Sequence, residues 1–461
     1  MRLALAALLA LTALRLALAA SLPLVPDEAY YFLWSTHLQP GYFDHPPMVA
    51  LWIRAGTALL GPSPLGIRLL GPLSTFAGSL LAWDAAERLF PGRGAGLTAA
   101  AMLNATLLLG AGAVLMTPDT PLIFFWIAGL WAMARLVADG KAGWWLAAGL
   151  AAGLMLASKY TGLLFLLAVF GWALAGRSGR AWLRTPWPWL GAALALLVFA
   201  PDIAWNAAHG WVSYAKQGGR EAGFRPGRAL GFLGDLLGSQ FLLFTPGIAV
   251  LAVRGLWGLR REASPAARLL LWLALLPGAV FLEHVLSQRV EGNWVAVVYP
   301  AACLAIGALP QAVLGRWRAP SLGLGFGLTA LVYVQAWAAP LPVPARLDTS
   351  ALQMAGWPQL GAELAALHPD FVTADDYATA AALAYYAPPG LRVVGFEPRW
   401  RYFDWPQAGV QGETGILVTH RPWVRCDQTG TLTRKRSSEP VQTYRLCRLT
   451  PQAPGILLPR P

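Results

Sequence analysis

Apolar runs of about 20 residues, each long enough to cross a bilayer as a helix, recur from Leu3 to Trp337. Hydrocarbon offers no partner to backbone N–H and C=O groups, so runs of this length and composition must be helical. The pattern predicts about eleven spans, at 3–22, 61–83, 95–116, 120–138, 142–157, 161–176, 187–205, 230–253, 267–286, 294–313 and 320–340. Beyond them a proline-rich linker, LPVPARLDTS, leads into a polar tail of about 110 residues. There GWPQLGAELAALHP has a helical period, and FVTAD, LRVVGF, GILVTH and TYRLCRL read as short strands. Two connecting segments are rich in aromatic residues: DEAYYFLWSTHL, followed by the turn QPGYFDHPP, and the loop over 206–228 with Trp211 and Tyr214. Both are predicted to lie in the headgroup plane. The fold class is therefore mainly α: a polytopic membrane domain over 1–340 and a small extracytoplasmic α/β domain over 351–461.

Composition excludes a soluble globule. Of the 461 residues 56% are hydrophobic and 13% charged, about half the charged share of a soluble domain. A net charge of +12 would suggest nucleic acid in a soluble protein, but here its distribution follows the membrane and no nucleic-acid partner is expected. With the N-terminus inside, the even-numbered connections carry Arg88 and Arg93, Arg135 and Lys141, Arg177, Arg180 and Arg184, Arg254, Arg260, Arg261 and Arg268, then Arg316 and Arg318. That is the positive-inside pattern. The odd-numbered connections hold the acids and a few isolated cations, and an odd number of spans places the tail outside. Residues 1–20 could instead be a cleaved signal peptide, with Ala19–Ala20 before Ser21, although Arg15 interrupts the apolar run. Cys303 falls inside a span; Cys426 and Cys447 fall in the tail, in an oxidising setting, and are expected to form a disulfide.

The residues able to carry chemistry fall in the odd-numbered connections. Asp27 and Glu28 form an acidic pair at the outer end of the first span, where ionisable groups are costly. Asp119 opens the fourth span in MTPDTPL. All three acids also suit the first turn of a helix as caps or as dipole partners, and one carboxylate of the pair could cap while the other does chemistry. Lys159, in SKYTG, either snorkels or pairs with an anion. Arg220 follows two glycines in AKQGGR, which would let backbone amides approach a phosphate. Arg289 could pair with Glu291 in SQRVEGNW, and His45 could be a turn residue in FDHPP. No His/Cys cluster has metal-ligand spacing, and no Walker or Rossmann glycine pattern occurs.

The stretch VPDEAYYFLWSTHLQPGYFDHPPMVALWIR, with TPDTPL, SKYTG and QRVEGNW in order behind it, resembles the bacterial family 39-type glycosyltransferases of GT-C fold. These membrane enzymes are similar to the dolichyl-phosphate-mannose protein mannosyltransferases and to the aminoarabinose transferase acting on lipid A. The resemblance covers about residues 1–340. It implies a polyprenyl-phosphate-linked sugar donor, inversion at the anomeric carbon, and catalytic acids at Asp27, Glu28 and Asp119. Aminoarabinose transferases carry a lysine near the position of His45, a departure that bears on the phosphate contact and on the sugar. On this reading Asp27 is the general base, Glu28 and Asp119 orient acceptor and sugar, and Lys159, Arg220, Arg289 and His45 form the donor-phosphate site. The cations would bind the phosphate more tightly as its charge grows toward the transition state. The enzyme would sit in the bacterial inner membrane, working extracytoplasmically on a glycolipid, polysaccharide or protein of the envelope. No cofactor is required, though the acidic cluster could hold a divalent cation. The competing reading is a transporter or flippase for a lipid-linked or anionic solute, against which stands the clustering of charge at one face instead of at the midplane.

Overall fold

The structure, a computed structural model, describes residues 2–218 and 226–461. In chain order its helices begin with α1 (Arg2–Ser21), α2 (Pro26–Thr36), α3 (Met48–Leu60), α4 (Pro64–Arg68), α5 (Leu70–Leu89), α6 (Ala95–Ala105) and α7 (Leu107–Gly112). They continue with α8 (Asp119–Asp139), α9 (Trp144–Ser158), α10 (Leu163–Ala175), α11 (Arg177–Leu183), α12 (Trp187–Ala208), α13 (Val212–Gly218) and α14 (Pro226–Leu243). The last are α15 (Pro246–Leu259), α16 (Pro265–His284), α17 (Tyr299–Ile306), α18 (Gln311–Ala338), α19 (Thr349–Met354), α20 (Trp357–Ala365) and α21 (Tyr377–Tyr386). Seven strands lie among the described residues: β1 (Val372–Ala374), β2 (Val394–Gly395), β3 (Gln407–Ala408), β4 (Gly415–Thr419), β5 (Asp427–Arg436), β6 (Glu439–Leu449) and β7 (Gly455–Leu457).

Among the described residues six helices are long and apolar enough to cross a membrane, and two further helix pairs qualify if each bent pair is one span. The predicted apolar segments fall on helices, but not one to one. The segment at 95–116 is interrupted at Thr106, and the one at 230–253 becomes α14 and α15, bent by 102°. One side chain connects both interruptions: Thr245, with a positive φ of 68°, accepts a hydrogen bond from the Leu107 amide and donates one to the Ala105 carbonyl, each at 3.1 Å. Backbone groups released by the break at Thr106 are thereby satisfied, as an apolar interior requires.

The chain forms two compact units, Met1–Leu16 with Asp44–Val49 and Leu70–Tyr333, and Ala17–Phe43 with Ala50–Leu69 and Val334–Pro461. In the first, small residues bring helices close. Gly149 and Gly153 of α9 face Gly191 and Ala195 of α12, and a Cβ at Gly149 would lie 2.6 Å from the Gly191 Cα. This is the small-residue spacing by which helices approach in lipid, where dispersion replaces the hydrophobic effect as the source of association. Arg15, which interrupts the first apolar run, is fully buried and donates to Asn104 Oδ1 at 2.7 Å.

In the second unit the strands order as β1-β4-β6-β5, with β1 and β4 parallel and the rest antiparallel, and as β2-β7-β3. The helix and four strands expected from the tail sequence are present, and Cys426 and Cys447 are bonded across the β5–β6 hairpin. The aromatic segment after the first span differs from expectation. Instead of laying its rings at a membrane interface, α2 buries nine of its eleven residues. Tyr30 packs against Tyr377, Trp400 and Phe403, and Phe32 against Tyr385. Those partners lie more than 300 positions away, so nothing in the local pattern of α2 announces them.

Candidate active site

In the first unit the close approach of α9 to α12 fixes the end of α9, and Lys159 follows directly. Its ammonium, almost wholly buried, donates to Asp119 Oδ1 at 2.7 Å. Asp119 opens α8 but does not cap it, since Pro118 holds the cap position and no side chain closes it. The second carboxylate oxygen accepts from Asn293 Nδ2 at 2.6 Å. The carboxylate is thus gripped from two elements remote in sequence.

A second lysine–carboxylate pair joins Lys216, on α13, to Asp44, and the neighbouring Gln217 donates its amide to the Asp44 carbonyl at 2.7 Å. The placement of α13 is itself specified. Asp202 of α12 accepts from the Tyr214 hydroxyl at 3.1 Å, and Asn206 Oδ1 accepts from the Ser213 amide at 3.2 Å. His45 follows Asp44. Part of its side chain is accessible but Nδ1 is buried. Burial first, then the charge of Lys159, pushes its pKa from 6.5 down to about 3, against the opposing pull of Asp44 and Asp119. The imidazole is therefore neutral at physiological pH and contributes polarity without charge; the positive charge comes from the two lysines.

In the second unit the adjacent acids divide their work. Val25 takes the cap position of α2, and its amide donates to Glu28 Oε2 at 3.1 Å. Glu28 is completely buried and meets Arg68 at two points, Nε to Oε1 at 2.7 Å and Nη2 to Oε2 at 2.5 Å. Arg68 spends its other donors on the carbonyls of Ala19, Leu22 and Pro23. Removing one partner of a buried pair costs about 3–5 kcal/mol, because the other charge is stranded. Glu28 thus anchors the start of α2. Asp27, only partly buried, instead accepts from the Tyr377 hydroxyl at 3.1 Å.

Arg289 lies 3.8 Å from Asp235 on α14, with both side chains about 60% exposed; the sequence alone left a pairing with Glu291 open. Such a surface pair contributes roughly 0–1 kcal/mol and yields easily to another anion. Arg220 lies outside the described residues. Asp44, Lys216, Gln217 and Asn293 join the site without having been singled out by sequence, although each stands in a segment that was: FDHPP, AKQGGR and EGNW.

Over residues 44–205 the chain matches the family model for dolichyl-phosphate-mannose-protein mannosyltransferases, a segment holding Asp44, His45, Asp119 and Lys159. The crystal structure of ArnT from Cupriavidus metallidurans bound to undecaprenyl phosphate superposes with a TM-score of 0.65 at 16% identity, covering 96% of this chain and 97% of that one. The fold is that of ArnT. The apo form of ArnT gives a TM-score of 0.62 at 17% identity over the same shares. Among curated proteins the lipid A galacturonosyltransferase RgtD of Rhizobium johnstonii (strain DSM 114642 / LMG 32736 / 3841) is 28% identical over 290 residues, 60% of this chain and 59% of RgtD. The chain therefore matches about three fifths of the length of that relative, while its likeness to ArnT runs nearly end to end.

Proposed function

We propose that this protein is an inverting glycosyltransferase that moves a sugar from a polyprenyl-phosphate-linked donor to a hydroxyl of an envelope acceptor, working extracytoplasmically from the bacterial inner membrane. The observation that carries the reading is the set of two lysine–carboxylate pairs, Lys159–Asp119 and Lys216–Asp44, around the neutral His45 in a helical unit of ArnT-like fold. Each lysine brings a positive charge and N–H donors, the chemistry that binds phosphate oxygens. When the anomeric C–O bond breaks, the phosphodiester gains negative charge, and these cations favour the transition state over the bound donor. Lys159 and Lys216 then carry the phosphate, with Arg220 and Arg289 as further cations and His45 as a neutral hydrogen-bonding group; a metal is not required. Asp27 is the base that takes the acceptor proton, Asp119 orients the sugar, and Glu28 acts by holding α2. The proposal includes eleven membrane crossings and a membrane domain over 1–340 with the tail over 351–461 outside.

RgtD is named for galacturonosyl transfer to lipid A, which makes undecaprenyl-phosphate-linked galacturonic acid and lipid A the first pair to try. The test is transfer by the purified protein in nanodiscs, alongside mass spectrometry of envelope glycolipids with and without it. Lys159→Gln should lower the rate by on the order of 10²-fold, and Asp27→Asn should abolish transfer. Full activity of Asp27→Asn would remove the base assignment; movement of labelled donor across vesicles with no glycosidic bond formed would remove the enzyme.

A further inference from the structure

A carboxylate that serves as a base has two equivalent oxygens and a freely turning bond, so its useful geometry exists only if something distinguishes one oxygen from the other. In this chain that something comes from the C-terminal region. Tyr377, the first residue of α21, donates its hydroxyl to Asp27 Oδ1 at 3.1 Å. Its ring lies 4.7 Å from that of Tyr30, which stands one turn after Asp27 on α2 and is 1% exposed. The phenol is thus pinned to the face of α2 that carries the acid.

Tyr377 is itself held from the other side. The Arg399 guanidinium sits 3.9 Å from the centre of the Tyr377 ring and 5.7 Å from those of Tyr30 and Phe43. Its side chain is only 11% exposed, and Glu397 accepts from its Nε at 2.9 Å. A partly desolvated cation over an aromatic face contributes about 0.5–2 kcal/mol, and it draws electron density from the ring so that the phenol donates more strongly. Tyr377 is placed by Asp376, which caps α21 by accepting from the Thr379 amide at 2.8 Å immediately after β1. The path from the sheet to the acid is therefore short and rigid: strand, cap, tyrosine, carboxylate.

We propose that Tyr377 is a positioning residue for Asp27, fixed by Arg399, and that the C-terminal region thereby holds the carboxylate of the base in the orientation from which it meets the acceptor hydroxyl. This rests on the reading of Asp27 as the base. The role is one of aim: an oxygen held within a few tenths of an ångström of its working place is worth more to the rate than one free to rotate.

The test uses the full chain in nanodiscs and has two arms. In the first, 3-fluorotyrosine replaces Tyr377 and its ¹⁹F resonance is compared with and without Asp27→Asn; a displaced resonance is expected, and an unmoved one overturns the proposal whatever the sugar is. In the second, transfer of galacturonic acid from undecaprenyl phosphate to lipid A is measured. Tyr377→Phe keeps the ring and its packing, and is expected to lower kcat about tenfold with the donor KM within about twofold of wild type. Arg399→Gln should reproduce that loss, and Arg399→Lys should restore most of it. Wild-type kcat in Tyr377→Phe overturns the positioning role, and equal losses in both Arg399 variants overturn the part given to its charge. An Asp27→Asn enzyme with full activity would instead sink the base assignment, which the fluorine arm does not depend on.

Discussion

Neighbouring residues on a helix point about 100° apart, and Asp27 and Glu28 show what that separation does to two chemically similar side chains. Glu28 turns inward, where Arg68 and the Val25 amide offset the desolvation of its charge. Asp27 turns toward Tyr377 and is only partly buried. His45 shows the same dependence on surroundings, and its protonation yields a test. Its pKa falls from 6.5 in the unfolded chain to about 3 in the folded protein, so the folded state refuses a proton that the unfolded state accepts. Stability is therefore complete above about pH 6.5 and declines as the pH falls toward about 3, by up to about 1.4 kcal/mol per unit. His45→Gln should remove this component. Unfolding midpoints followed from about pH 7 down to about pH 4.5 should show the wild type losing stability faster than the variant; parallel curves would mean that the imidazole is not shielded as described.

At the scale of elements, the apolar runs were legible because hydropathy summed over a span registers burial in lipid whichever neighbours the helix meets. The breaks at Thr106 and Thr245 were not, since they depend on one hydroxyl bridging two backbone groups that lie about 140 positions away. The site divides along the same line. Asp119 and Lys159 could be picked out as isolated charges among apolar residues, but the partners Asn293 for Asp119 and Lys216 for Asp44 stand 174 and 172 positions off, beyond any local periodicity. What holds these elements in place is close packing, and α9 against α12 is the place to disturb it. Gly149→Val would drive a side chain into the Gly191 backbone, at an expected cost of about 1–3 kcal/mol. Gly143→Ala, just before α9, meets nothing within 4 Å and should leave the unfolding midpoint in detergent unchanged. Since Lys159 ends α9, the Gly149 variant should lose activity along with stability. A stable, fully active Gly149→Val would show that the approach to α12 does not position the lysine.

Over the whole molecule, charge and redox chemistry make separate statements about sidedness, and they can be set against each other. The arginine-rich connections belong on the cytoplasmic face by the positive-inside rule, whereas the bond between Cys426 and Cys447 belongs in an oxidising compartment. A disulfide persists where no thiol pool reduces it, so the tail and the connection holding Arg260 and Arg261 should be on opposite sides of the membrane. In intact cells a membrane-impermeant thiol reagent, applied after a membrane-impermeant reductant, should label Cys426, the partly accessible half of the bond. The same reagent should reach Arg261→Cys, exposed at the end of α15, only once the membrane is opened. Cys303 is fully buried and should contribute little background. Labelling of Arg261→Cys in sealed cells would place the basic connections outside and remove the extracytoplasmic site. Protection of Cys426 would do the same from the other direction, because Tyr377 and Arg399 belong to the same compact unit as that disulfide and as Asp27.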